Sequence, residues 1–321
     1  MAPRTVDVPA LVDSARAGSP RAVARLISLV EDEHPALPEV MAALVPHAGR
    51  AWVIGLTGAP GVGKSTSTAM LIRAFRDRGQ SVGVLAVDPS SPFSGGALLG
   101  DRIRMQEHSH DAGVYIRSLA SRGHLGGLSA ATPQAIRVLD ATGFDVVLVE
   151  TVGVGQSEVE VAGLADTSVV LLAPGMGDGI QAAKAGILEV GDVFVVNKAD
   201  HDGADATVHD LRHMISLADR TAPGLWRPPV VKTVALQGDG ADRVIEALDK
   251  HRAHLDETGE LRRRRERRAA EEIEQLALER LRARFEAVRG RSGLEALAGR
   301  LVAGEIDPYA AVDVLLEGAE R

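Results

Sequence analysis

The chain has 321 residues, 45% of them hydrophobic and 25% charged, a globular composition that excludes disorder throughout and allows one large α/β domain with extensions, or two domains. Its net charge of −8 supplies no overall positive field of the kind that holds a protein on nucleic acid or on an anionic membrane, so neither is expected as a partner. It has no cysteine, which rules out disulfides and thiolate metal sites and leaves oxygen or histidine ligands for any metal.

Residues 1–20 carry Arg4, Asp7, Asp13 and Arg16 and contain no apolar core of a secretion signal, and no later stretch approaches the roughly 20 uninterrupted apolar residues of a membrane helix. The expectation is a soluble, cytoplasmic protein. Residues 8–46 read as helix, with Leu11, Val12 and Ala15, then Ala22, Val23, Leu26, Ile27 and Val30, recurring at helical spacing. They are expected to form a helical N-terminal extension over residues 1–50.

From residue 51, short apolar runs alternate with helical segments, the pattern of a parallel sheet covered on both faces. The predicted strands are 51–57, 81–87, 113–118, 144–149, 167–173, 193–197 and 230–235. They imply a doubly wound, mostly parallel α/β domain over residues 51–250. Beyond it, residues 251–321 are charged and helical without strand signals. Six arginines flank Glu266 between Leu261 and Arg268; pairing with Glu271, Glu272 and Glu274 on neighbouring turns favours a solvated helix face, the alternative being a phosphate- or partner-binding patch.

The first chemical motif follows the first predicted strand. Gly58, Ala59, Pro60, Gly61, Val62, Gly63, Lys64 and Ser65 fit G-x-x-x-x-G-K-S/T, with Thr66 opening a helical segment. Glycines let a backbone wrap an anion closely, and a helix start presents free N–H groups and the positive end of its dipole. Lys64 adds a mobile charge for the β and γ phosphates, and the Ser65 hydroxyl can ligate magnesium.

The predicted strand 144–149 delivers Glu150 beside that loop, the Walker B arrangement of a magnesium-linked carboxylate, and Gly153 would let a backbone N–H approach a γ-phosphate. Asn197, Lys198, Ala199 and Asp200 form N-K-x-D after another apolar run. An aspartate there can accept both donors on the Watson–Crick edge of guanine, a pair that adenine lacks, so Asp200 selects GTP over ATP. Asn197 is expected to support the base, the Lys198 stem to lie over it, and Thr233, Ala235 and Leu236 to offer backbone contacts. Between these motifs, residues 88–102 are rich in Gly, Pro and Ser and begin and end near acids, Asp88 and Asp101; a long functional loop of this kind reads as a switch ordered by magnesium and γ-phosphate.

With these residues in place the chain resembles the MeaB/ArgK family of P-loop GTPases, chaperones of adenosylcobalamin-dependent methylmalonyl-CoA mutase. The resemblance rests on G-A-P-G-V-G-K-S at 58–65, V-D-P-S-S-P-F-S-G-G-A-L-L-G-D-R-I-R-M at 87–105, R-G-H-L-G-G-L-S at 122–129, E-T-V-G-V-G-Q-S-E at 150–158, N-K-A-D at 197–200 and I-D-P-Y at 306–309. It implies a P-loop NTPase sheet, GTP/GDP and Mg2+ as ligands, and an acyl-CoA mutase as partner. It further implies that Asp88, Asp101 and Glu150 bind magnesium or organise water, and that the arm at 251–321 forms a homodimer. Gln181 and Lys184, in the loop after the fifth strand, become the residues through which the partner accelerates hydrolysis. That loop reads P-G-M-G-D-G-I-Q-A-A-K-A-G, with Ala182 and Ala183 smaller than is usual in the family. Lys64 and one acid, Asp101 or Asp88, are the expected catalytic groups; Gln156 lies too far beyond Gly153 to be preferred. Two alternatives stay open: a kinase of an amino acid transport protein, and a metallochaperone GTPase, for which His108 and His110 would be the nearest pair of ligands.

Overall fold

A computed structural model of the protein describes residues 6–89, 111–121, 131–151, 157–175, 187–217 and 225–317. The chain divides into two compact units, Met1–Arg262 and Arg263–Arg321.

The first unit begins with three helices whose starts are written in the sequence. Asp7 caps α1 (Val8–Arg16) by accepting the Ala10 N–H at 3.1 Å, and Ser19 caps α2 (Pro20–Glu31) by accepting that of Ala22 at 3.4 Å; each helix has proline in its first turn. A third helix, α3 (Leu37–Leu44), follows. Val12, Ala15, Val23, Leu26, Ile27 and Val30 are all buried, so the helically spaced positions do form the inward stripe. They join Val40 and Leu44 against one face of the sheet, alongside α5 (Ala131–Ala141).

Among the described residues the sheet has seven strands: β1 (Trp52–Thr57), β2 (Val82–Pro89), β3 (Val114–Ser121), β4 (Val146–Thr151), β5 (Thr167–Leu172), β6 (Val193–Val196) and β7 (Val230–Lys232). Their order is β3-β2-β4-β1-β5-β6-β7, and every neighbouring pair is parallel. The central strands β1, β4, β5 and β6 are buried along their whole length because helices cover both faces. Alternate residues serve opposite layers. Val53, Leu85 and Val147 meet the N-terminal helices and α5, whereas Ile54, Val84 and Leu148 meet α4 (Lys64–Asp77) and, further on, α9 (Ala241–Thr258). The remaining helices of the wrap are α6 (Ser157–Leu164), the single turn α7 (Ile187–Val190) and α8 (Ala204–Leu217). Arg76 near the end of α4 is pinned to Asp111 by two bonds of 2.8 and 2.9 Å; those bonds, and the carboxylate's charge, hold the guanidinium above its ordinary pKa.

Each of the seven strands overlaps its predicted run, although β7 ends at Lys232, short of the predicted residue 235, and β3 runs on to Ser121; one further difference bears on the site. Glu150 does not follow β4 but lies within it, in register with Leu56 on β1 and Ala86 on β2. β4 sits between two strands, so ladder bonds on both sides continue past the apolar run and hold the carboxylate-bearing residue in a rigid backbone. β2 likewise extends to Pro89, with Asp88 opposite Ala120.

β1 is flanked by β4 and β5, the crevice where successive crossovers leave in opposite directions, and such a crevice at strand C-termini is where open α/β sheets take their ligands. Gly259, in the left-handed conformation at φ 69°, ends α9 and releases the chain into α10 (Glu260–Val302), which continues into the second unit; that unit finishes with α11 (Pro308–Glu317). Ile273, Leu281, Val302 and Tyr309 there are more than half exposed. No described helix is long and apolar enough to cross a membrane.

Candidate functional site

The loop from Gly58 to Gly63 leaves the end of β1 and turns directly into α4. Two of its glycines have no substitute. At Gly58 φ is +144°, and a Cβ would stand 2.3 Å from the Leu171 carbonyl oxygen on β5; at Gly63 φ is +93°, and a Cβ would stand 2.4 Å from Asn197 Nδ2. Gly63 occupies the N-cap of a 14-residue helix and supplies no side-chain cap, so the first amides of α4 remain available to an anion. Ala59 packs on the apolar layer, Pro60 and Gly61 are exposed, and Val62 is fully buried, anchoring the loop from below.

Lys64 is 8% exposed, and its Nζ donates to the carbonyls of Gly58 at 2.7 Å and Ala59 at 3.1 Å. The ammonium is thus held folded over the mouth of its own loop, where an entering phosphate would meet it. Ser65 Oγ donates to Glu150 Oε1 at 2.7 Å. Thr68, one turn along α4, has its hydroxyl 2.8 Å from Glu150 Oε2 and 3.0 Å from the Lys64 carbonyl. Glu150 is 2% exposed, so hydroxyls on the facing helix stand in for the water its carboxyl group has lost. Donating its proton to Glu150 turns the lone pairs of Ser65 Oγ outward. A hydroxyl backed by a carboxylate is an all-oxygen donor set that fits magnesium.

The N-K-A-D segment, residues 197–200, lies at the next strand ends. Asn197 is 3% exposed and ties three loops together: its Nδ2 donates to Val62 O at 2.9 Å, and its Oδ1 accepts from Ala235 N at 3.0 Å and from Thr233 Oγ1 at 3.2 Å. Ala199 N donates to Thr233 O at 3.0 Å, which closes the same junction through the backbone. Lys198 takes a left-handed conformation, φ +57°, and is exposed, as is Asp200, whose side chain is 47% exposed and 4.0 Å from His201. Leu236 is 85% exposed beside them. The Ala235 N–H, expected to serve the base, is donated to Asn197.

The structure therefore brings Gly58 to Thr66, Glu150, Asn197 to Asp200 and Thr233 to Leu236 to one end of the sheet. Asp88 joins that edge through its backbone in β2. Asp101, Gly153, Gln156, Gln181, Lys184, His108 and His110 lie outside the described residues. Thr68 was invisible to motif reading because it lies beyond the eight-residue signature; its only sequence signal is the three-residue spacing from Ser65, which puts both hydroxyls on one face of α4.

Comparison with known proteins agrees with this geometry. Residues 23–289 match the family described as methylmalonyl Co-A mutase-associated GTPase MeaB. The chain is 47% identical over 308 residues to a putative GTPase of Pyrococcus abyssi, covering 96% of this chain and 95% of that one. It is 38% identical over 263 residues to the GTPase ArgK of Escherichia coli, covering 80% and 79% of the two chains. Among solved structures, a LAO/AO transport system kinase superposes over 100% of both chains with a TM-score of 0.73 at 26% identity.

Proposed function

The chain belongs to the MeaB family of P-loop GTPases, which bind GTP and GDP with Mg2+, and we propose that it serves as a nucleotide-gated chaperone of an adenosylcobalamin-dependent acyl-CoA mutase, methylmalonyl-CoA mutase first among them. The observation that carries this reading is the family match over residues 23–289, whose description names that mutase as the associated enzyme. GTP hydrolysis would time the loading of the mutase with its cobalamin and protect the enzyme.

In this reading the loop 58–63, the start of α4 and Lys64 hold the triphosphate, Asp200 reads the guanine, and Asn197 keeps the two loops in register. Ser65, backed by Glu150, holds Mg2+ together with Asp88 or Asp101; bound there, the ion neutralises charge on the β and γ phosphates. Catalysis is positioning and charge stabilisation, with Lys64 on the phosphates, Asp101 or Asp88 orienting water, and Gln181 and Lys184 responding to the mutase. Gly153 completes the cradle through its N–H. The buried Ser65–Glu150–Thr68 contacts support a direct route from the phosphate site to the segment after β4, because a shift of Ser65 changes the bonds at a residue two positions before Val152. Residues 251–321 pair two copies; exposed Ile273, Leu281, Val302 and Tyr309 are apolar surface that such a contact would cover.

Copurification with candidate mutases, in the presence of GDP or a non-hydrolysable GTP analogue, tests the partner; failure to retain any mutase in either state refutes the chaperone reading. Asp101→Ala tests the water assignment, which fails if basal and mutase-stimulated hydrolysis both persist. A second reading, a kinase acting on a transport protein, is favoured by the full-length superposition on the LAO/AO transport system kinase. It requires phosphate to appear on a protein acceptor and ATP to replace GTP, which labelling with each γ-labelled nucleotide distinguishes.

A further inference from the structure

The opposite edge of the sheet, where β1, β2 and β4 begin, holds a cavity of about 380 Å³ lined by Arg16, His47, Arg50, Gln80, Asp140, Asp145 and Arg252 among others. We propose that this cavity is a second ligand site, separate from the nucleotide site, which binds a small organic anion bearing two or more phosphate or carboxylate groups. The volume is that of a small-molecule pocket. Three guanidinium groups from α1, the approach to β1 and α9 converge on it although they are far apart in sequence, and arginine is the residue suited to planar, paired recognition of phosphate or carboxylate.

The two acids in the lining offset part of that charge and leave the three guanidiniums in excess, and each carboxylate is hydrogen-bonded to neighbouring backbone rather than to an arginine. Asp140 accepts the N–H groups of Gly49, Arg50 at 3.0 Å and Ala51 at 2.8 Å, while Asp145 accepts the Ser81 N–H at 2.7 Å and its hydroxyl at 2.8 Å. Among the described residues, neither Arg16, His47 nor Arg50 makes a side-chain hydrogen bond or ion pair. Arg252 instead lies over the Trp52 ring, 5.1 Å from its centre. Three guanidiniums against two carboxylates leave an excess of positive charge in one concavity, which a bound anion would balance. A further group is left over: Gln80 Oε1 is buried without a protein partner, so the cavity also offers an acceptor to a hydroxyl or amine of the ligand. The combination selects a polyanion with a hydroxylated or aminated body over inorganic phosphate.

The full-length protein is saturated with GDP in excess Mg2+, which fills the phosphate loop, and titrated calorimetrically at constant ionic strength with fructose 1,6-bisphosphate and, in a parallel arm, with tricarballylate. The two arms distinguish phosphate from carboxylate recognition. Saturable binding is expected, with a change in tryptophan emission because Trp52, one of two tryptophans, lies under Arg252. The double variant Arg16→Gln/Arg50→Gln should weaken binding about tenfold or more while hydrolysing GTP at the wild-type rate, which also checks its fold. Arg252→Gln should weaken binding as well, and Lys64→Ala should leave it intact. Absence of saturation with both compounds overturns the proposal, as does undiminished binding in the arginine variants or loss of binding in Lys64→Ala.

Discussion

Asn197→Ala separates a structural tie from a contact with the base. The side chain makes three buried hydrogen bonds, to Val62 O, Ala235 N and Thr233 Oγ1. At about 1 kcal/mol net for each, truncation removes roughly 3 kcal/mol, and Val62 O and Ala235 N are left without the side-chain partner in surroundings that exclude water. With each kcal/mol worth roughly 2–4 °C in a unit of this size, the nucleotide-free protein should melt roughly 6–12 °C below wild type. Asp200→Ala removes an exposed carboxylate and should change stability by less than about 0.5 kcal/mol, while the proposed reading of guanine by this residue predicts that preference for GTP is lost. Thermal unfolding followed by circular dichroism, without nucleotide, is compared for the two variants, and a fluorescent GDP titration follows. If Asn197→Ala melts with wild type, or Asp200→Ala falls as far, the assignment of Asn197 as the brace between the phosphate and base loops is wrong.

Ser65→Ala should raise the Mg2+ concentration needed for half-maximal hydrolysis by about tenfold or more, since it removes the hydroxyl that Glu150 orients. Thr68→Val, which deletes the other hydroxyl on Glu150, should raise the requirement less and cost about 1–3 kcal/mol in urea unfolding, because a buried carboxylate loses one of its hydrogen-bonding neighbours. A Mg2+ titration of the hydrolysis rate orders the two; equal curves contradict the arrangement. Gly58→Ala should destabilise by more than about 2 kcal/mol, since its Cβ meets a carbonyl oxygen and its φ suits glycine alone. Wild-type stability of that variant would mean that the loop lies farther from β5.

Most of the fold was legible because a parallel sheet covered on both faces leaves its mark on each strand separately: Ile54, Leu148, Leu171 and Val195 share one buried layer, yet each belongs to an apolar run that needs no knowledge of its partners. The order of the strands was not legible in this way, because nothing in a strand's own residues says that β4 slots between β2 and β1.

The phosphate loop, the strand that carries Glu150 and the segment ending at Asp200 were determined by sequence alone, since each is a contiguous run whose chemistry is local: glycines where the backbone must bend, a lysine and a hydroxyl at a helix start, an acid at a strand end. What joins them was decided only by tertiary structure. Asn197 clamps Val62 across 135 positions, Thr68 reaches Glu150 across 82, and Arg16, Arg50 and Arg252 share a cavity although three separate elements deliver them. A hydrogen bond or a shared pocket depends on distance in space, and that distance is set by how the helices pack on the sheet, which no short run of residues encodes.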